Sequence, residues 1–233
     1  MAEATARLEQ VAASGPTALL ADAFAAAGFE LSLVGGPVRD ALLGRGTTDL
    51  DYTTDARADD ILAIVRPVSD AQWDVGREFG TIACRIEGQT VEVTTYRADV
   101  YDGVTRKPEV TFGERLEDDL VRRDFTVNAM ALQLVARDDE GVATRVAPRL
   151  VDVGGGVEHL LARVLDTPQA PEVSFRDDPL RMLRAARFEA QLGFAVADRV
   201  RAAMTEAAAS IDNISAERVR DELVKLLATD DPT

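Results

Sequence analysis

The chain has one cysteine and one histidine among its 233 residues. The lone thiol, Cys84, has no internal partner, which excludes a disulfide framework, and no Cys/His cluster points to zinc. A reducing, cytoplasmic setting is the expectation. Long apolar runs are missing as well: nothing approaches the ~20 residues that a helical membrane span requires. The N-terminus also lacks the basic-then-apolar pattern of a signal peptide. Lysine occurs only at Lys107 and Lys225, so nearly every cation is an arginine.

Acid is in excess. Asp and Glu number 41 against 26 Lys and Arg, a formal net charge of -15. That balance opposes non-specific nucleic-acid binding, which rests on cations neutralising phosphates. An RNA partner must therefore be gripped at local arginine clusters, whose forks take phosphates and base edges bidentately, or by a part of the protein outside this chain. Neither DNA nor a membrane is expected as a partner. With 46% hydrophobic and 29% charged residues the chain reads as globular, and its length allows one large domain or two small ones.

Along the chain, residues 2–27 read as helix, broken near Ser14-Gly15-Pro16 and closed by Gly28. A strand over 31–34 leads to Gly35-Gly36, and Pro37 suits the first position of a helix that runs through 38–43 to Gly44. A strand over 50–54 and a helix over 58–65 follow. Strands over 81–87 and 90–97 form a hairpin across Gly88-Gln89, with Val91, Val93 and Thr95 on one side and Glu92, Thr94 and Tyr96 on the other. Residues 98–113 read as a long mobile loop, a strand covers 130–135, and a turn covers 138–141. After about Thr167 strand signals stop, and alanine-rich amphipathic helices cover 179–192, 197–209 and 215–228, the last with half a capping box at Ser215. This divides the chain into a mixed α/β head (1–166) and a helical domain (167–233).

The sharpest chemical signal is Asp49-Leu50-Asp51. In a strand, alternate side chains share a face, so the two carboxylates project together about 6.6 Å apart along the chain. They repel unless a cation sits between them, and Mg²⁺, held by one or two carboxylates plus water and phosphates, suits the pair. A second ion would complete a two-metal displacement. Taken alone, Asp-x-Asp is more often a solvated strand start. Upstream, however, Gly35-Gly36 sits where a strand ends and a helix begins. There free N–H groups and the helix dipole receive an anion, and Arg39 lies on the first turn. A triphosphate cradle followed by a metal pair explains both segments economically.

At this point the residues resemble a family. Residues 33–44 (LVGGPVRDALLG) followed by Asp49-Leu50-Asp51 are similar to the signature of class II tRNA nucleotidyltransferases (CCA-adding enzymes) and bacterial poly(A) polymerases. A second motif is 122–129 (RRDFTVNA), and a third is 177–188 (DDPLRMLRAARF); residues 150–156 (LVDVGGG) resemble the linking motif. The resemblance implies an α+β fold: a polymerase-beta-like nucleotidyltransferase head, with a mixed sheet and flanking helices, followed by an all-α neck. It implies Mg²⁺-dependent addition of C and A from CTP and ATP to the 3′ end of tRNA, with release of pyrophosphate. Poly(A) synthesis, a specialised CC- or A-adding activity, and a catalytically silent RNA- or nucleotide-binding module are the alternatives. Loop 98–113 would help switch the pocket from C to A.

Carried residue by residue, the resemblance makes Asp49 and Asp51 the metal ligands and catalytic pair. Gly36 and Arg39 would contact the triphosphate, and Arg123 and Asp124 the ribose and phosphates, with Arg122 an alternative to Arg123. In the third motif, a helix would place Asp178 and Arg181 on one face at i, i+3, with Arg184 and Arg187 extending it. Leu180, Leu183, Ala186 and Ala190 would form the core side. A carboxylate acceptor beside guanidinium donors matches the amino donor and ring-nitrogen acceptor on the pairing edges of C and A, and rejects G and U. Asp177 replaces the family's usual Glu. His159 stands where the linking motif often has Asp and reads as a surface or helix-end residue. Glu92 is either a third carboxylate at the metals or a partner for a loop arginine. Family members generally continue into further helical domains, so a truncated chain is expected.

Overall fold

Alternation of apolar and polar residues builds the central sheet. A computed structural model describes residues 2–46, 49–97 and 112–229. Two compact units divide them, one formed by Met1–Leu120 with Met130–Asp152, the other by Val121–Ala129 with Val153–Thr233. The Arg122-Arg123-Asp124 segment and residues 153–166, assigned to the head from sequence, thus fold with the helical part. Most of loop 98–113, the expected C-to-A switch, lies outside the described residues; its ends are pinned by an Arg97–Phe112 bridge.

The first unit opens with helices α1 (Ala2–Ala12) and α2 (Gly15–Ala27). Strand β1 (Leu31–Val34), helix α3 (Gly36–Leu43), strand β2 (Asp49–Thr54) and helix α4 (Ala58–Val65) follow. Next come β3 (Ala71–Trp73), the hairpin β4 (Thr81–Ile86) and β5 (Gln89–Thr95), and the short helix α5 (Leu116–Val121). Strands β6 (Met130–Arg137) and β7 (Ala143–Asp152) complete it. The seven strands form one mixed sheet in the order β3-β4-β5-β2-β1-β6-β7, in which only β2 and β5 run parallel.

One face of this sheet is apolar: Leu33, Leu50, Tyr52, Ile82, Cys84, Val91 and Val93 are all buried. Helices α2 and α4 pack against the sheet with Leu20, Phe24, Ile61 and Val65. The sole thiol is therefore a core side chain, and burial pushes its pKa up to about 11. The opposite face carries Asp49, Asp51, Thr53, Thr90, Glu92 and Thr94. Val34, Tyr96, Leu116, Leu120 and Ala131 form a further cluster that seats α5.

Four strands escape the sequence reading. β3 is a three-residue edge strand, and β7 is an edge strand that carries exposed arginines and Pro148; proline is tolerated there because an edge strand has unpaired positions. In the second unit β8 (Val164–Leu165) pairs in parallel with β9 (Ala195–Val196), which lies beyond Thr167, where strand signals were expected to stop. That unit otherwise consists of α6 (Gly156–Ala162), α7 (Pro171–Asp177), α8 (Leu180–Leu192), α9 (Asp198–Ala207) and α10 (Ala216–Leu227). The core side of α8 is Leu180, Met182, Ala185, Phe188 and Leu192. Of the four core residues expected on this helix only Leu180 is buried; the stripe is rotated because Phe188 must reach Phe125, ring edge to ring face at 5.8 Å.

Candidate active site

In the first unit, β1 runs into Gly35, whose φ of 74° and ψ of -133° suit only glycine. An added Cβ at Gly36 would meet only an Arg39 nitrogen at 3.7 Å, ordinary contact. Of the two glycines read as the turn, Gly35 is therefore the conformationally obliged one. Helix α3 starts here with Pro37 in its first turn. Arg39, on that turn, is buried, and its fork closes on Asp40, Nε to Oδ1 at 2.9 Å and Nη2 to Oδ2 at 3.0 Å. The guanidinium is thus held rigidly close to the turn.

Downstream, Leu50 and Tyr52 anchor β2 in the core and leave Asp49 exposed and Asp51 half-buried on the other face. The parallel strand β5 sets Thr90 beside Asp49 and Glu92 beside Asp51. Three carboxylates therefore share one face of two adjacent strands. Glu92, exposed at the surface, has no ion pair among the described residues. No three His, Cys, Asp or Glu side chains among those residues close around an ion by themselves. Asp49 and Asp51 would leave most positions of a cation to water and phosphate oxygens, which is how Mg²⁺ is usually held.

In the second unit, the 122–129 segment is clamped to α8. Arg181 donates from Nη2 to the Arg122 carbonyl at 2.7 Å and from Nη1 to Ser174 Oγ at 2.8 Å. Arg184 donates to Asp124 Oδ2 from Nε at 2.8 Å and from Nη2 at 2.5 Å. Asp124 Oδ1 accepts from the Phe125 N–H at 2.8 Å and from Asn128 Nδ2 at 3.1 Å. Burial alone would raise the Asp124 carboxyl, but the Arg184 charge and these donors outweigh it and hold the pKa at about 2. Arg187 is taken by the buried Glu222 of α10 and by Gln191, and it lies over the Phe188 ring at 4.0 Å.

The expected i, i+3 pairing of Asp178 with Arg181 on one helix face needs correction. Asp178 precedes α8 in extended backbone, φ -148° and ψ 98°, because Pro179 disfavours helical geometry in the residue before it. Its Oδ1 caps the helix by accepting from the Leu180 N–H at 3.2 Å, and its Oδ2 accepts from Arg218 of α10 at 2.8 Å. The Asp178-Pro179 pair was the signal available in the sequence; Arg218 was not singled out there. His159 sits in the last turn of α6, and its Nδ1 lies 2.9 Å from Thr126 Oγ1. The site residues are thus gathered in two sets, Gly36, Arg39, Asp49 and Asp51 in the first unit, and Arg123, Asp124, Asp178, Arg181, Arg184 and Arg187 in the second.

Comparison with known proteins bears on what such a pair of sets does. Residues 31–166 match the poly A polymerase head domain family, and residues 193–233 match the family described as a probable RNA and SrmB-binding site of polymerase A. The CCA-adding enzyme of Geobacillus kaustophilus is 40% identical over 202 residues, covering 86% of this chain and 46% of that protein. That of Enterococcus faecalis is 39% identical over 203 residues, 87% of this chain and 46% of its own. Among solved structures, the Bacillus stearothermophilus CCA-adding enzyme in complex with CTP superposes with a TM-score of 0.74 at 38% identity, covering 91% of this chain and 48% of that one. A tRNA nucleotidyltransferase complexed with a primer tRNA and an incoming ATP analog gives a TM-score of 0.71 at 28% identity, covering 91% and 56%. The chain spans about half the length of the curated relatives it matches. With its head-domain match covering more than half of its residues, the chain belongs to the poly(A) polymerase head-domain family of nucleotidyltransferases.

Proposed function

We propose that this chain carries the catalytic part of a template-independent nucleotidyltransferase, cytoplasmic and Mg²⁺-dependent. It adds C and A from CTP and ATP to the 3′ end of tRNA and releases pyrophosphate. The observation that carries the reading is the short path from the Gly35 turn and the N-terminus of α3 to Asp49 and Asp51 on one sheet face. The likeness to CCA-adding enzymes at about 40% identity supports the choice of reaction. The functional division is a head to residue 166 and a helical neck from 167, and the head-domain match ends at the same place.

In this reading the free N–H groups opening α3 and the buried Arg39 bind the triphosphate and orient its α-phosphate toward the sheet face. Asp49 and Asp51 hold Mg²⁺, which supplies charge stabilisation for the phosphoryl oxygens and lowers the pKa of the attacking hydroxyl. The RNA 3′-oxygen forms a bond to the α-phosphorus as the bond to the pyrophosphate oxygen breaks. Asp178 accepts from the exocyclic amino group of C or A, while Arg181 donates to the ring nitrogen, and Arg123 contacts the sugar or phosphates. Asp124, Arg184 and Arg187 hold the second motif and α8 in place through their own ion pairs, so they act on the nucleotide by positioning.

A second reading, poly(A) polymerase, is favoured by the family of the head domain itself. Incubating tRNA lacking its 3′ end with CTP and with ATP separately distinguishes the two: limited addition from each is expected, and long tails from ATP alone would establish the second reading. Asp49→Ala and Asp51→Ala are each expected to abolish incorporation while the circular dichroism spectrum is unchanged. Full activity in either variant would overturn the assignment of the pair.

A further inference from the structure

The sole tryptophan stands on the carboxylate-bearing face of the sheet. Trp73 ends the edge strand β3 opposite Ala83; Ala83 stands opposite Glu92, and Glu92 beside Asp51. Paired residues share a face, so Trp73 and Asp51 lie in one cross-strand row, three strand spacings or about 14 Å apart. The row behind it, Gln72, Cys84, Val91 and Leu50, points the other way, into the core.

The indole is 41% exposed. Arg85, its diagonal neighbour on β4, holds its guanidinium 5.5 Å from the ring centroid. Among the described residues no carboxylate pairs with Arg85. An open π face backed by an arginine is the chemistry by which proteins hold unpaired bases: every base stacks on an indole, and the cation adds attraction to ring and phosphate. Stacking also suits a chain of net charge -15, because it draws affinity from base faces where phosphate contacts are opposed.

We infer that Trp73 with Arg85 forms a stacking platform for an unpaired base of the RNA strand, a few nucleotides upstream of the 3′-hydroxyl. This rests on the proposed function: a 3′-hydroxyl delivered to Asp49 and Asp51 must lie on this face, and the row from Asp51 to Trp73 gives the strand a track to the sheet edge. The platform reads no sequence and leaves choice of the incoming nucleotide to the second unit.

Because Trp73 is the only tryptophan, its emission reports directly on the platform. Titrating the full chain with short single-stranded oligocytidylate should quench that emission saturably, and an abasic oligonucleotide of equal length should quench far less. Trp73→Ala should raise the KM for RNA primer about 10-fold, with Trp73→Phe within about 3-fold of the parent and the KM for CTP unchanged in both. An emission that does not respond to RNA, or an unaltered primer KM in a folded Trp73→Ala chain, would overturn the platform. Should that variant fail to fold, Arg85→Gln decides, with weaker quenching expected and unaltered quenching counting against it. The two readings fail separately: a parent chain that is quenched by RNA yet incorporates nothing refutes the nucleotidyl transfer, and one that incorporates nucleotide without quenching refutes the platform.

Discussion

Asp124 shows how one residue's environment sets its chemistry. The carboxyl is buried, yet Arg184, Asn128 and the Phe125 N–H favour its charged form and bring its pKa from 3.8 to about 2. A carboxyl depressed in the folded state contributes stability that is complete above its unfolded value and lost as pH falls through the folded one. Unfolding free energy should therefore drop between about pH 4 and pH 2, and Asp124→Asn should flatten that part of the profile measured by urea titration. At pH 7, Asp124→Ala should cost about 3 kcal/mol, the low end for a broken buried pair because Arg184 keeps a third of its side chain in solvent. A stability equal to the parent's would mean that the pair does not hold the second motif. The placement of Arg39 and Asp49 was legible because it follows from immediate neighbours, the glycine turn and the strand alternation. Gly35 was harder to separate from Gly36, since only the backbone angles tell which glycine the turn requires.

Among the elements, α10 is the one whose role is least visible in its own sequence. Its inward side presents Arg218 and Glu222 one turn apart, the first to Asp178 and the second to Arg187, so the helix braces both the entry and the middle of α8. Glu222 and Arg187 are almost wholly buried. Removing one charge strands the other, so Glu222→Ala should lower stability by about 3–5 kcal/mol. The double change Arg187→Met with Glu222→Leu should recover most of that loss, as apolar replacements of buried pairs commonly do. Thermal unfolding of the single and double variants provides the measurement, and a double variant no better than the single would show that packing, not the stranded charge, dominates. Helix ends and the β4–β5 hairpin were readable because glycines, prolines and period-two alternation act within a few residues. β3, β8 and β9 have two or three residues each and no such signal, and β7 hides its strand character behind arginines on a sheet edge.

For the whole molecule, the charge of -15 constrains how RNA is held. If stacking on Trp73 provides much of the grip and Arg85 is the main cation beside it, one or two phosphates are neutralised. The affinity of this chain for single-stranded RNA should then fall with a log–log salt slope of about -1, since each phosphate contact on a single strand contributes about -0.7. Fluorescence titrations over a range of salt test this, and a slope steeper than about -4 would point to a broad basic surface instead. By itself the sequence determined the strand–turn–helix–strand path that places Gly36, Arg39, Asp49 and Asp51, because each step there is decided by residues a few positions apart. Tertiary structure alone decided which carboxylates take Arg184, Arg187 and Arg218. Those partners lie 60, 35 and 40 positions away, where pairing depends on how distant segments meet. It also decided that Trp73 shares a row with Asp51, because register across four strands is set by the core beneath them and not by any local pattern.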